Sequence, residues 1–303
     1  MNYSKHTKTI AFAIGEDHIS RSCVARESDG QFHVSDFNDE QADRTSGEQQ
    51  MWLMDSRNSA KRHICSLCLN PGEYQLIPLD APSVLEQELT DALRWEVSDS
   101  VDVPFDDYVV DYFDVPNANN MGEKRHINVV VVEKKLVIEK KELFTNAGLK
   151  LKVIDIPEIA LRNLISSYKL DVEGVVFLYL TTTGGLIVFV RDRQIYFSRN
   201  LDVGTDQLLN KAEAQQAVAL ELQRSMDYFS RHYSSVGIKR LVVAPTYPSI
   251  PGFVDFLDSV LAISCVEFDY KMDLNWSQNR AKSNSHPLGV LSLGAALRIE
   301  SRT

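Results

Sequence analysis

Two cysteines, Cys65 and Cys68, have the C-x-x-C spacing of redox-active and metal-binding pairs. Such a pair normally lies in a loop or at a helix N-terminus, where the thiolate is stabilised. This pair lies inside an apolar run, 64–69, that is typical of a strand, and residues i and i+3 of a strand point to opposite faces. No second Cys or His pair accompanies it at ligand spacing, so we predict that both thiols pack in the core.

The other side chains that could carry chemistry form no recognisable constellation. The seven histidines are scattered, and none belongs to an HxxxH or carboxylate-paired helix motif: His6, His18, His33, His63, His126, His232 and His286. We interpret each of them as a surface residue or a satisfied core residue. Walker and Gly-x-Ser-x-Gly patterns are absent. The sequence therefore predicts no catalytic residues and no enzyme activity.

Four aspartates are grouped near the start of a predicted strand: Asp102, Asp106, Asp107 and Asp111. They alternate with Val and Tyr, and no turn converges their carboxylates as a site for a hard cation requires. We interpret them as a solvated face and predict no metal site.

Composition excludes several classes of function. The chain has 303 residues, 44% of them apolar, and a formal net charge of −10, which does not attract nucleic acid or anionic lipid. The N-terminal residues lack the pattern of an export signal, and the apolar runs are too short to cross a membrane. Four cysteines are too few for a disulfide scaffold. We expect a cytoplasmic protein without a membrane span of its own.

The elements that position these residues repeat along the chain. Three predicted strands, a helical region and a fourth strand form the first half, at 9–14, 19–26, 32–37, 43–60 and 63–69. The second half repeats this order with strands at 175–180, 186–190 and 195–199, a long helix at 211–233 and a strand at 240–244. A helix from Gly252 and a strand at 263–268 follow. This duplication is the plan of the actin, Hsp70 and sugar kinase superfamily. We therefore predict an α/β, actin-like (RNase H-like) duplicated two-lobed fold.

An inserted α+β subdomain separates the halves. A capping box, Ser83-Val-Leu-Glu86, predicts a helix that carries Leu85, Leu89, Leu93 and Val97 on one stripe. Strands at 108–115 and 126–132 follow across the link 117–122, and a helix at 133–147 returns the chain to the first lobe. The predicted domains are 1–77 and 133–172 for lobe 1, 78–132 for the insert, 173–285 for lobe 2, and 286–303 for a C-terminal helix that closes onto lobe 1.

Several motifs resemble those of PilM-type proteins, the cytoplasmic actin-like components of type IV pilus assembly, which share their fold with FtsA. The motifs are Leu93-Arg-Trp-Glu-Val97, Val103-Pro-Phe-Asp-Asp107, Val110-Asp-Tyr-Phe113, Ala147-Gly-Leu-Lys150, Val153-Ile-Asp155, Ile159-Ala-Leu-Arg162, Glu221-Leu-Gln-Arg-Ser-Met-Asp-Tyr-Phe229, Pro251-Gly252 and Leu293-Gly-Ala-Ala-Leu-Arg298. The resemblance covers the chain from about residue 8.

Two stretches point to one branch of this family. Tyr74-Gln-Leu-Ile-Pro-Leu79 and Leu93-Arg-Trp95 are similar to the version that serves the mannose-sensitive haemagglutinin (MSHA) pilus. The cytoplasmic part of the type II secretion protein GspL shares the fold and is the alternative, but GspL continues into a membrane helix.

The resemblance implies a nucleotide site, and its residues are replaced in this chain. Where the family has an Asp and a Gly in the first hairpin, this sequence has Ala13 and Gly15. In the second hairpin Tyr179 and Thr181 take the places of Asp and Gly, with Gly184 and Gly185 further along, and Pro245 and Thr246 replace a glycine pair beneath the adenosine. Glu16, Asp17 or Asp202 could still supply a carboxylate. We expect a pseudo-enzyme without a cofactor, and residual ATP binding is left open.

What the resemblance implies instead is a protein partner at the inner membrane. In PilM-type proteins the short cytoplasmic N-terminal tail of a PilN-type membrane protein lies in a groove between the first lobe and the insert. The resemblance implies a comparable tail here, from an MshJ-like protein. We select Arg94, Trp95, Pro104 and Phe105 as candidate contacts, and Trp95 could alternatively pack on the first lobe.

Two other functions remain open from the sequence. One is an actin-like ATPase whose nucleotide state gates pilus assembly. The other is a self-assembling filament, since the superfamily includes polymerising members.

Overall fold

The computed structural model describes residues 8–42, 47–61, 63–117, 124–270, 274–277 and 286–298. The strands in chain order are β1 (Lys8–Ile14), β2 (His18–Arg26), β3 (Phe32–Gln41), β4 (Ile64–Cys68), β5 (Gln75–Asp80), β6 (Tyr108–Val115), β7 (His126–Glu133), β8 (Leu151–Asp155), β9 (Val175–Leu180), β10 (Gly185–Arg191), β11 (Gln194–Leu201), β12 (Arg240–Val243), β13 (Ser264–Glu267) and β14 (Asn275–Trp276). The helices are α1 (Glu48–Asp55), α2 (Arg57–Ala60), α3 (Glu86–Glu96), α4 (Lys134–Asn146), α5 (Pro157–Ser167), α6 (Thr205–Asn210), α7 (Ala212–His232), α8 (Phe253–Val260) and α9 (Leu288–Ala296). Most of the predicted link at 117–122 and the end of the predicted C-terminal helix, 299–303, lie outside the described residues.

Two sheets with the same strand order confirm the predicted duplication. The sheet of the first lobe runs β14-β3-β2-β1-β4-β8, and that of the second lobe runs β11-β10-β9-β12-β13. Apart from β14, each sheet consists of an antiparallel meander of three strands followed by two strands parallel to the first of them. Each half of the chain therefore builds the same five-stranded unit.

Helices α5 and α9 lie between the two sheets in one continuous core. All nine residues of α9 are buried, and both sheets contribute side chains to the cluster that surrounds the two helices. The helices approach closely at Gly294, where a Cβ atom would lie 2.2 Å from the carbonyl oxygen of Ala160. Ser292 hydrogen-bonds Ser20 and Ser22 of β2, at 2.9 and 2.8 Å. This pairing fixes α9 on the first lobe.

The outer face of the second sheet is covered by α7 and α8. The predicted stripe of α7 is confirmed, because Val218, Leu222, Phe229 and Tyr233 are buried and Met226 packs against their cluster. A period of 3.6 residues places such side chains on one face of a helix. The predicted helix 211–233 differs from the observed one by a residue at each end.

The insert is a three-stranded sheet, ordered β5-β7-β6, with α3 on one face. The predicted capping box is wrong. Helix α3 begins at Glu86, with Leu85 as an N-cap that makes no side-chain cap hydrogen bond and is 62% exposed. The reason is that the backbone at Leu85 is extended, so Glu86 is the first residue of the helix and not the third. Its carboxylate instead accepts hydrogen bonds from Arg125 and Tyr112, each at 2.8 Å.

Two of the predicted domain limits do not coincide with the sheets. Strand β5 pairs with β7 of the insert and crosses the predicted limit between residues 77 and 78. Strand β14 lies in the predicted range of lobe 2, yet it pairs with β3 in the sheet of the first lobe. The hydrophobic pattern alone did not show which sheet each of these two short strands joins, because that depends on the strand with which it pairs.

We expect Gly294→Ala to lower the free energy of unfolding by about 1–2 kcal/mol. Alanine in a helix interior gains up to about 1 kcal/mol from propensity, but the new Cβ atom would overlap backbone, and overpacking typically costs about 1–3 kcal/mol. Gly237→Ala is the control, since its nearest neighbour is a side-chain atom 3.6 Å away. Denaturant unfolding measures both variants, and equal midpoints would contradict the close approach as a constraint.

Candidate functional site

The first turn of the implied nucleotide site, between β1 and β2, is packed against protein groups. Ala13 is fully buried in the core between the sheets. The amide of Gly15 donates to the carbonyl of His18 at 2.8 Å, and Gln49 Nε2 donates to the carbonyl of Gly15 at 2.9 Å. A Cβ atom on Gly15 would lie 3.1 Å from Leu288 Cδ1. This glycine therefore allows the turn to approach the start of α9.

The second turn, between β9 and β10, closes on itself. Tyr179 is buried, and burial raises the pKa of its phenol well above the ordinary value. Thr181 Oγ1 accepts a hydrogen bond from the amide of Gly184 at 3.1 Å, and the amide of Thr181 donates to the carbonyl of Gly184 at 2.8 Å. A Cβ atom on Gly184 or Gly185 would lie 2.7 or 2.8 Å from a backbone oxygen of the same sheet. Both glycines are explained by packing within the sheet.

The third position follows β12. Pro245 is buried and has no amide hydrogen to donate. Thr246 Oγ1 accepts a hydrogen bond from the amide of Ile250 at 3.2 Å. Thr205 Oγ1, from α6, donates to the carbonyl of Tyr247 at 3.1 Å. The Thr246 hydroxyl and the Tyr247 carbonyl are thus paired within the second lobe.

Three rings lie in contact between the first turn and the loop after β12. His18 stacks on His286 with ring centroids 4.1 Å apart, and Tyr247 lies 4.9 Å from His18 and 5.0 Å from His286. Asp17 Oδ1 lies 3.0 Å from His18 Nδ1. We call His18, Tyr247 and His286 the ring cluster. It joins the two lobes at the place where the resemblance locates a nucleotide.

Burial of the ring cluster changes the protonation of one histidine. Burial, assisted by the neighbouring His18 and opposed by Asp17, lowers the pKa of His286 to about 4. At neutral pH the ring of His286 is therefore uncharged, which suits stacking. Sequence reasoning treated the histidines as scattered, because nothing in the spacing of His18 and His286 indicates that they meet.

The candidate contacts on the insert come together in one exposed group. The Trp95 ring stacks on Phe105 at 4.2 Å, and the Arg94 guanidinium lies 4.1 Å from the centre of the Phe105 ring. Pro104 is exposed and immediately precedes Phe105, and Trp95 is 67% exposed. We call these four residues the aromatic surface. The alternative that Trp95 packs on the first lobe is wrong, because Phe105 of the insert supports the ring instead.

A cavity of about 620 Å³ lies where both lobes and the insert meet. Its walls are Tyr74 and Glu158 of the first lobe, β5 and the start of β7 from the insert, and β11 with the end of α7 from the second lobe. We call it the inter-lobe groove. It contains no residue of the aromatic surface. Sequence reasoning missed it, since three segments distant in the chain form it.

The paired cysteines are core residues, as predicted. Cys65 is 2% exposed and Cys68 is 1% exposed, and burial raises the pKa of the Cys65 thiol to about 12. A protonated thiol is neither a nucleophile nor a metal ligand. Asp102, Asp106, Asp107 and Asp111 are exposed, as expected for a solvated face.

Among the described residues, no group of three or more His, Cys, Asp or Glu is placed to hold a metal ion. None of the helices in the described part of the chain combines the length and apolar character that a bilayer-spanning helix requires.

Comparisons with known proteins identify the fold. No protein-family profile and no curated protein sequence matches the chain. A solved PilM-PilN type IV pilus biogenesis complex aligns with 95% of this chain and 97% of its own chain, with a TM-score of 0.76 and 15% identity. The cytoplasmic domain of EpsL, an inner-membrane component of the type II secretion system of Vibrio cholerae, aligns with 97% and 96%, with a TM-score of 0.51 and 11% identity. The chain therefore has the predicted actin-like, duplicated two-lobed fold with an inserted α+β subdomain.

Proposed function

We propose that this chain is a non-catalytic cytoplasmic scaffold of type IV pilus assembly, which binds the cytoplasmic tail of a PilN-like inner-membrane protein. The observation that carries the proposal is the similarity in fold to the solved PilM-PilN complex, which extends over 95% of this chain. A match of that extent includes the insert as well as both lobes. The motifs of the insert and of α7 support the same assignment.

Within this class we propose the branch that serves the MSHA pilus, whose PilM-like component is MshI and whose tail-bearing partner is an MshJ-like protein. The support is the amino-acid sequence of two segments, Tyr74–Leu79 and Leu93–Trp95, which is similar to that of this branch. Both segments occur at the insert, in β5 with the residue before it and in α3.

We assign the tail to the inter-lobe groove. Strands β5 and β11 are the outermost strands of their sheets, and both line this cavity. An outermost strand has unpaired amide and carbonyl groups along one edge, and an extended peptide can pair with them. The association of the scaffold with the inner membrane is then supplied by the partner.

We further propose that the chain does not hydrolyse ATP. The supporting observations are Ala13, Tyr179 and Pro245 at the three implied positions and the ring cluster between the lobes. A carboxylate at the position of Ala13 or Tyr179 would have to be buried in an apolar core. The glycines of the second turn are needed by the sheet itself.

Isothermal titration with ATP and Mg²⁺ tests this part of the proposal. We expect no saturable heat with the protein at about 100 μM, because a Kd well above that concentration gives no curvature. A variant that combines Tyr247→Ala with His286→Ala removes two of the three rings of the cluster. It distinguishes a nucleotide site that is blocked by these rings from a chain that lacks the side chains to bind a nucleotide. We expect no binding in that variant either, and Mg²⁺-dependent release of phosphate from ATP by the wild-type protein would refute the pseudo-enzyme assignment.

The partner assignment is tested by fluorescence anisotropy with the labelled cytoplasmic tail of the PilN-like protein encoded in the same genome. We expect saturable binding that Trp95→Ala and Arg94→Ala change by less than threefold, because the groove excludes the aromatic surface. A tenfold or larger loss of affinity in either folded variant would indicate that the tail binds at the aromatic surface and not in the groove. Absence of binding by the wild-type protein would remove the partner proposal.

The similarity to the EpsL domain favours one second candidate, a component of type II secretion. A strain that lacks this chain distinguishes the two. We expect loss of surface pili, seen by electron microscopy, with normal release of type II secretion substrates into the medium. The reverse pattern would support the secretion role.

A further inference from the structure

The inter-lobe groove has the length of a short extended peptide. Five consecutive residues of β11, from Tyr196 to Asn200, line one wall, and five residues of a strand span roughly 13 Å. Five residues of β5 also line the cavity: Gln75, Leu76, Pro78, Leu79 and Asp80. The volume of about 620 Å³ is within the range of ligand pockets. An extended segment is thus the shape that this groove fits.

The two unpaired edges that border the groove are not equivalent. Pro78 of β5 has no amide hydrogen, and proline in a sheet is confined to outer strands with its nitrogen facing away from the ladder. The edge of β5 therefore lacks a donor at Pro78, whereas β11 contains no proline and each of its outward-facing amides can donate. A bound segment gains more main-chain hydrogen bonds on β11 than on β5.

A buried acid stands in the wall of the groove. Glu158, in the first turn of α5, is 2% exposed and lines the cavity. Tyr74 Oη donates a hydrogen bond to its Oε2 at 2.5 Å. Within the described residues no Lys, Arg or His forms an ion pair with Glu158. The nearby Asp155 forms an ion pair with Arg298, in which Oδ2 and Nη1 lie 2.9 Å apart. Burying an acid without a cation is costly, so a cation that enters the groove is favoured.

A second polar atom in the same wall has no partner. His126 Nε2 is buried and makes no hydrogen bond among the described residues, while its Nδ1 lies 2.7 Å from Asp80 Oδ1. His126 lines the groove beside the start of β7. This buried nitrogen is thus a second polar group of the wall for which the described residues provide no partner.

From these contacts we propose that the inter-lobe groove binds an extended basic segment, whose backbone pairs with β11 and whose Lys or Arg side chain forms an ion pair with Glu158. The net charge of −10 favours a basic segment at long range. Cytoplasmic segments next to a membrane span are rich in Lys and Arg, so this inference rests on the proposed function and specifies the chemistry of the tail.

A purely structural role of Glu158 accounts for only part of these observations. A carboxylate in the first turn of α5 stabilises the helix N-terminus, and the bond from Tyr74 adds to that. Neither explains why an acid without a cation lines a cavity bordered by unpaired strands. The two roles differ in one measurable respect. If Glu158 only stabilises the helix N-terminus, replacing it changes the affinity for a charged and for a neutral peptide by the same factor.

A double-mutant cycle between the protein and the tail peptide tests the inference. The probe is the tail peptide, compared with a copy in which its basic residues are replaced by citrulline for Arg and norleucine for Lys. We expect Glu158→Gln to weaken binding of the basic peptide by roughly 30-fold or more, the cost of leaving one member of a buried pair alone. For the neutral peptide the same substitution should change affinity by less than threefold.

Two further variants separate the cation site from folding. Glu88→Gln is the matched control, since Glu88 is exposed on α3, outside the groove, and it should bind like the wild-type protein. Tyr74→Phe removes the hydrogen bond to Glu158 but keeps the ring, and should weaken binding of the basic peptide less than Glu158→Gln does. The thermal midpoint of each variant verifies that it is folded.

The pH dependence provides an independent readout. Burial, with a smaller contribution from Asp155 and opposed by the bond from Tyr74, raises the pKa of Glu158 to about 7. The acid is therefore charged above that pH, and affinity for the basic peptide should increase roughly tenfold from pH 6 to pH 8. Other charged or titratable groups face Glu158 or the groove: Cys68, Glu73, Tyr74, Asp80, His126, Asp155, Tyr179, Tyr196, Arg199, Tyr228, His232 and Tyr233. These groups are also present in Glu158→Gln, which should lack the increase that belongs to Glu158.

The outcomes distinguish this inference from the proposed function. Tail binding that is equally strong in Glu158→Gln, or that ignores the citrulline and norleucine replacements, overturns the inference and leaves the scaffold role intact. Absence of any tail binding by the wild-type protein overturns both.

Discussion

The approach of α9 to α5 at Gly294 is the contact on which the arrangement of the two lobes depends. Both helices lie between the sheets, and the side chains around them come from both halves of the chain. The lobes therefore share one core, whereas two separate domains would each have a core of their own. A backbone contact at this point requires a residue without a side chain. This requirement constrains how closely α5 and α9, and with them the two sheets that pack on these helices, can approach each other.

The same core supports the proposal that the chain has no working nucleotide site. Ala13 and Tyr179 belong to the apolar cluster between the sheets, at positions where the resemblance implies charged side chains. Gly184 and Gly185 are retained because the neighbouring backbone leaves no space for a Cβ atom. His18, Tyr247 and His286 then connect the turn of the first lobe to the loop of the second. Contacts within the protein thus occupy the place between this turn and this loop, whereas the inter-lobe groove is a separate cavity.

Periodicity and element order were sufficient to predict most of the fold. The meander of each lobe and the apolar stripe of α7 follow from local sequence. Apolar residues that recur every 2 residues in a strand, or every 3.6 residues in a helix, determine which face is buried. Local sequence did not show that Glu86 is held by Arg125 and Tyr112, which removes it from the predicted capping box. Nor did it show that β14 pairs with β3. For the candidate site, the exposed aromatic surface could be predicted, whereas the ring cluster and the groove depend on contacts between distant segments.

The unequal edges of β5 and β11 also bear on how the chain behaves at high concentration. An open strand edge is a template for other copies of the same chain, and proteins protect such edges with proline or charge. Pro78 protects β5, and Arg199 is the charged residue of the β11 wall. The less protected β11 edge lies inside a cleft that a folded second copy cannot easily enter. A single extended segment can thereby reach this edge, whereas edge-to-edge pairing with the sheet of a second copy is sterically disfavoured.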